Sequence, residues 1–427
     1  MTASPQGLID YVAASPSPYH CVEATRSRLS AAGFVEVDER ADLGEVRPGD
    51  KGFLARAGTI IAWVAGSDAP ARAGFRLIGA HTDSPNLRLK PAAEYASEGY
   101  LQWGVEVYGG VLPYTWFDRD LGLSGRVAVR SDEGVEMRLL RIERPVARVT
   151  SLAIHLNRDI RTKGFKPNKQ KEMPPILGLE GDGPGALERL LKEGARADLD
   201  QVLGWDLMLH DLQVPRVGGL DEEFVLAPRM DNQFSCYVAL EGLLSAEVGA
   251  ATAVVALFDH EEVGSGSAQG AEGAVLENTL RRLEAAHTEK QPGGFERACA
   301  SSFQVSADMA HGVHPNYADR HDGNHKPRIN GGPVVKVNTT QRYATDAETA
   351  ALFKTACHAQ VVPVQEFINR TDLACGSTIG PISAARLGIR TVDVGCAQLA
   401  MHSARELAGA GDVEPTARVF AAVLSTG

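Results

Sequence analysis

Five apolar runs in this 427-residue chain each end in side chains that can bind a cation or move a proton. FRLIGA (75–80) is followed by His81 and Asp83, and EFVLAP (223–228) by Arg229, Asp231 and Asn232. TAVVALF (252–258) runs into Asp259, His260, Glu261 and Glu262, while FQVSAD (303–308) ends in Asp308, with His311 three residues on. IRTVDVG (389–395) leads to a loop carrying His402, Arg405 and Glu406. A single histidine after a strand is more often a satisfied structural group than a ligand. Five such ends together bring two imidazoles and several carboxylates to one possible rim.

Imidazole and carboxylate oxygens are the donors of zinc-like ions, and a pair of ions about 3.5–4 Å apart can jointly activate a water. Adjacent acids such as Glu261 and Glu262 then acquire distinct tasks: one stays ionised as a ligand and its neighbour serves as general base. The positive charge of the ions offsets their mutual repulsion. Asp83, two residues after His81, is placed to accept the second imidazole N–H and so fix the tautomer.

The elements needed to present these residues follow from pattern. Strand-like and helix-like segments alternate in 1–91 and again in 225–427, with helices expected at 22–32, 233–245, 274–287, 346–358, 378–387 and 413–424. Such alternation predicts an α/β fold: a mixed, mostly parallel sheet flanked by helices. In such sheets ligands bind outside the carboxyl ends of the strands. Residues 92–224 differ, with short alternating strands such as WGVEVYGG and SGRVAVRS broken by glycine, which predicts an inserted β-rich domain.

Composition narrows the class. Hydrophobic content of 44% and charged content of 23% describe an ordinary globular protein, and 427 residues suit two domains or one large domain with an insertion. A net charge of −11, without a basic block, argues against nucleic acid as partner. Six scattered cysteines with no C-x-x-C pair point to a reducing compartment rather than a disulfide framework. With no signal-like leader and no apolar run near about 18 residues, a cytoplasmic location off the membrane is expected.

Beyond these features the chain resembles the aspartyl aminopeptidase family, among the dinuclear zinc exopeptidases. The resemblance rests on GAHTDSPNLRLKP (79–91), LAIHLNRD (152–159), PRMDNQ (228–233), DHEEVGSGSAQGA (259–271) and DMAHGVHPNY (308–317). VVKVNTTQRYATD (334–346), CGSTIGP (375–381) and QLAMHSARE (398–406) extend it over nearly the whole chain.

The resemblance implies two zinc ions per subunit, although carboxylate-rich sites also accept manganese or cobalt. His81, Asp231 and Asp308 would hold one ion, and Asp231, Glu262 and His402 the other, with Asp231 bridging. Glu261 would be the general base and Asp83 the orienter of His81, with a cis peptide at Asp231–Asn232. The implied reaction removes N-terminal Asp or Glu from peptides, which needs a cation in the pocket: Lys336 or His311, with Tyr343 beside them in the substrate site. By the same resemblance the insertion packs subunits into a tetrahedral dodecamer, and His155 reaches a neighbour's active site. His260 and the further histidines His314, His321 and His325 are read as structural. Two rival functions stand beside this one: a dinuclear aminopeptidase or deacylase with neutral preference, and a non-catalytic peptide-binding assembly.

Overall fold

The computed structural model describes residues 3–181, 185–287 and 292–426. Strand Thr252–Phe258 shows how the sequence makes the central layer, because all seven of its residues are buried. Ala253, Val255 and Leu257 pack into one core, with Phe234, Leu240 and Phe420 of two helices. Val254, Ala256 and Phe258 point the other way, against Val275, Leu280 and Ile379. A period of two with both faces apolar is what a strand covered on both sides by helices requires. Each large side chain so buried contributes about 1.5–3 kcal/mol.

This strand lies in a nine-stranded mixed sheet. Its neighbours Phe75–His81, Phe303–Ala307 and Arg390–Gly395 follow in that order, all parallel. Four of the five motif-bearing strands are therefore adjacent, and their carboxyl ends share one edge. Helices Met230–Ser245 and Val413–Ser425 cover one face, and Val275–Ala285 and Ile379–Leu387 the other. Six helices match the expected ones to within a few residues, the largest shift being Pro18–Ala31 against 22–32.

The fifth strand, Phe224–Ala227, departs from expectation. It is not in the main sheet but pairs antiparallel with Glu406–Gly409 in a separate five-stranded sheet. That sheet also holds Arg216–Gly218, Ala397–Leu399 and Ala310–His311. It ties the loop bearing His402 to the segment that enters helix Met230–Ser245.

The β-rich segment forms its own six-stranded sheet, with strands from Asn86 to Asp211 and a core centred on Trp103, Leu123, Val127 and Leu140. The pairing places its first strand, Asn86–Ser97, six residues ahead of the expected start at 92. Residues 216–218, expected within the insertion, pair instead with Phe224–Ala227. One helix, Ala186–Ala195, lies within this segment and packs Leu187, Leu190 and Leu191 against the sheet core.

Candidate metal centre

His81 is the last residue of its strand, 1% exposed, and Asp83 behind it is fully buried. The His81 Nδ1–H donates to the Asp83 backbone carbonyl at 2.9 Å, while the Asp83 carboxylate stands 3.5 Å away. The tautomer is thus set by the main chain of Asp83 more closely than by its side chain. The carboxylate accepts elsewhere: Oδ1 from the Glu261 N–H and Oδ2 from the Glu262 N–H, both at 3.1 Å, and Oδ2 again from the Tyr108 hydroxyl at 2.6 Å. Asp83 therefore sets the position of the glutamate pair as well as the histidine.

His402 repeats the arrangement from the opposite loop. Its Nδ1–H donates to the Gly110 carbonyl at 3.1 Å, which again leaves Nε2 free. Both Nε2 atoms face Asp231, but different oxygens of it: His81 at 3.4 Å from Oδ1 and His402 at 3.4 Å from Oδ2. His402 Nε2 is also 3.3 Å from Glu262 Oε1, and His81 Nε2 is 3.9 Å from Glu261 Oε2. Asp231 itself is held by its N–H donating to Glu406 Oε2 at 3.0 Å and its carbonyl accepting from Ser84 Oγ at 2.6 Å. The Asp231–Asn232 peptide bond is cis, as the resemblance implies. Arg229, His260 and His402 adopt left-handed backbone angles, of the kind that concentrates around functional sites.

One atom from each of His81, Asp231 and Glu262 lies within 4.8 Å of the others, a spacing that suits a cation between them. Asp231 Oδ1 and Glu262 Oε1 are buried without any hydrogen-bond partner among the described residues, a costly state for carboxylate oxygens unless something positive meets them. Electrostatics agree. Burial pushes the Glu262 carboxyl up to about 7 and that of Glu261 well above its usual range, with like charges nearby adding to both. Burial opposes charge on His81, yet hydrogen bonds to Asp231 and Asp83 hold its pKa well above the ordinary value. The same balance, with Asp231 and Glu262 as partners, raises His402 to about 11. Such a group of acids around two imidazoles matches the donor set of a zinc site.

The cluster forms the floor of a cleft of about 1320 Å³, open at its mouth, whose walls include Asp308, His311, Lys336, Arg342 and Tyr343. Lys336 is 2% exposed, as its apolar flanks suggest, with Nζ 5.0 Å from the centroid of the Tyr343 ring. Its ammonium lies 3.5 Å from Asp308 Oδ1 and donates to the Asp308 carbonyl at 2.8 Å. His311 stands at the mouth, edge-on to Phe367. His260 donates or accepts at Ser267 Oγ over 2.7 Å, and His325 pairs with Asp322. The residues expected at the centre are thus brought together, with one exception. His155 sits on the exposed loop 151–157 of the β-rich segment and does not line its own subunit's cleft.

Three residues here escaped sequence reasoning. Tyr108 and Gly110 come from the inserted segment, where only the Tyr-Gly-Gly stop of WGVEVYGG hinted at a turn. Glu406 is fully buried and accepts from both the Asp231 and His402 N–H groups. It appeared in the sequence only as one of several polar residues in a loop.

Fold and cluster together define a class, the metal-dependent hydrolases built on a mostly parallel α/β sheet. The family model for aminopeptidase I zinc metalloproteases (M18) matches residues 11–423, and the chain belongs to that family of metalloaminopeptidases. A "Probable M18 family aminopeptidase 2" of Pseudomonas aeruginosa (strain LESB58) is 48% identical over 425 residues, covering 98% of this chain and 97% of the relative. The like-named protein of Pseudomonas entomophila is 49% identical over 424 residues, covering 97% and 96%. Among solved structures, a chain in the cryo-EM structure of the Ape4 and Nbr1 complex superposes with a TM-score of 0.93 at 38% identity, covering 99% of this chain and 85% of that one. The mApe1 dodecamer of S. cerevisiae gives a TM-score of 0.86 at 29% identity, with coverage of 98% and 95%.

Proposed function

We propose that this metalloaminopeptidase holds two ions per subunit and removes N-terminal Asp and Glu residues from peptides. One observation carries the reading of two ions: the Asp231 carboxylate turns one oxygen to His81 and the other to His402. That is the disposition of a bridging ligand. His81, Asp231 and Asp308 would hold one ion, and Asp231, Glu262 and His402 the other. When bound, the ions supply Lewis acidity to the scissile carbonyl and to the attacking water.

The rest falls to the chain's own side chains. Glu261 has 14% of its side chain exposed against 5% for Glu262, so Glu261 faces the cleft while Glu262 faces His402. Glu261 takes the proton of the attacking water and delivers it to the leaving amine. Asp83 holds both glutamates through their N–H groups, which keeps base and ligand in a constant relation. The cations of the cleft wall, Lys336 and Arg342, favour a substrate with a negative first side chain, beside Tyr343 and His311.

His155 is proposed to act in trans within a dodecamer, supporting the scissile carbonyl of a neighbouring site. Its loop supports this: Leu152, Ile154 and Leu156 beside it are 59%, 43% and 76% exposed, a patch suited to burial against another subunit.

The test is a scan of otherwise identical peptides differing at the first residue, with and without a chelator. The reading expects Glu- and Asp-peptides to be cleaved at least about tenfold faster by kcat/KM than Leu-peptides, with chelator abolishing all cleavage. Equal or better cleavage of Leu-peptides would overturn the acidic substrate class.

A further inference from the structure

Arg88 carries its charge without the hydrogen bonds that usually hold a guanidinium. Its Nε and Nη2 atoms are buried with no hydrogen-bond partner among the described residues. Glu106 lies directly opposite it in the pairing of strands Asn86–Ser97 and Tyr100–Tyr108, yet is exposed and forms no ion pair with it. Burying donors unpaired is costly, so another interaction must keep the group where it is.

The register of the two strands supplies that interaction. Asn86 is the partner of Tyr108, which sets Arg88 and Tyr108 on one face of the sheet as diagonal neighbours. The guanidinium carbon lies 3.8 Å from the centroid of the Tyr108 ring. A planar cation at that distance is attracted to the electron-rich ring face, and more strongly where water is excluded. The stack fixes the ring, and the ring's hydroxyl donates to Asp83 Oδ2 at 2.6 Å. Asp83 in turn accepts from the Glu261 and Glu262 N–H groups. Three successive contacts thus join a cation of the β-rich segment to the glutamate pair. The charges agree: burial pushes the Tyr108 phenol far up, Asp83 and Asp259 add to this, and Arg88 opposes it.

We propose that Arg88 is a positioning residue for the peptidase reaction. Its guanidinium holds the Tyr108 ring so that the hydroxyl stays on Asp83 and the loop bearing Glu261 and Glu262 keeps its place beside the metal-binding side chains. Arg88 acts through Tyr108 and not on the substrate. The tasks of the two glutamates rest on the function proposed above; the coupling of Arg88 to Tyr108 does not.

The experiment is a double-mutant cycle on the purified enzyme, with kcat, KM and zinc content measured for the wild type, Arg88→Met, Tyr108→Phe and the double variant. In Arg88→Met kcat should fall about tenfold while KM stays within about twofold, because base placement and not substrate binding is disturbed. Arg88→Lys keeps the charge without the planar stack, so it should fall between Arg88→Met and the wild type, and it gives a second, milder cycle. In the Tyr108→Phe background Arg88→Met should lower kcat by less than about twofold further, the non-additivity of groups that act in series. A full tenfold fall in both backgrounds would refute action through Tyr108, and wild-type kcat in Arg88→Met would refute any role. Arg126, whose guanidinium lies 4.2 Å from the Tyr19 ring centroid, is the matched control. Arg126→Met should keep kcat within about twofold, and an equal fall there would reduce the Arg88 effect to lost packing. Full turnover in Glu261→Gln would overturn the base assignment alone, since the cycle reads the coupling of Arg88 to Tyr108 whichever task the glutamates have.

Discussion

The Asp83 carboxylate accepts from three donors that come from two distant parts of the chain: the N–H groups of Glu261 and Glu262, and the Tyr108 hydroxyl. Replacing it with Asn puts an NH2 group where one of these donors now points, so a repulsive contact replaces a hydrogen bond. Asp83→Asn should lower both metal affinity and kcat by about 10- to 100-fold, the usual effect of losing a partner behind the ligands. Zinc competition with a chromophoric chelator checks the first effect and steady-state kinetics the second. Unchanged affinity and rate would show that Asp83 has no positioning role. Much of the centre was legible in the sequence because its acids and histidines follow apolar strands directly. Tyr108 and Gly110 were not legible, since their relation to Asp83 and His402 exists only after the inserted segment folds back across the cleft.

At the scale of elements, helix Pro18–Ala31 supplies a pH-sensitive contact. His20 is 7% exposed, its Nδ1 is 2.7 Å from the Ser17 hydroxyl, and burial pushes its pKa down to about 4, with Arg141 and Arg229 adding to the effect. Below the ordinary value of 6.5 the unfolded chain takes up a proton that folded His20 refuses, so this contribution to stability declines as pH falls from 6.5 to 4. The loss reaches about 3 kcal/mol at the acid end. His20→Gln should reduce the acid-induced drop in unfolding free energy by a comparable amount, measured by urea unfolding at both pH values. An identical drop in the variant would contradict the assignment. The long, periodic helices and the main-sheet strands could be read in advance because their apolar periods persist over several residues. The five-stranded sheet could not, because Ala310–His311, Ala397–Leu399 and Arg216–Gly218 are too short to show any period. Their pairing is decided by long-range contacts, and the alternation of EFVLAP with a helix points instead to the main sheet.

For the whole molecule, the β-rich segment faces two ways. Tyr108 and Gly110 close over its own subunit's metal centre, while the loop bearing His155 turns outward with Leu152, Ile154 and Leu156. If that loop completes a neighbouring site, two inactive proteins should complement each other. Co-refolded mixtures of Glu261→Gln and His155→Ala subunits should regain activity, up to about a quarter of the wild-type level for a single donor and acceptor per site when the two are mixed equally. A mixture as inactive as its components would rule out action in trans. The change of texture near residue 92 marks where the six-stranded sheet takes over, although its first strand begins at Asn86, whereas a contribution of His155 to a neighbouring subunit would leave no trace in a single sequence.

Two neighbouring carboxylates would have separate tasks under the proposed function, Glu261 as base and Glu262 as ligand beside a bridging Asp231. The most direct test is metal content and turnover measured together on purified Glu261→Gln. Two ions per subunit should remain while kcat falls by about 100-fold or more. Loss of an ion along with activity would make Glu261 a ligand, and turnover near the wild-type level would remove it from the chemistry.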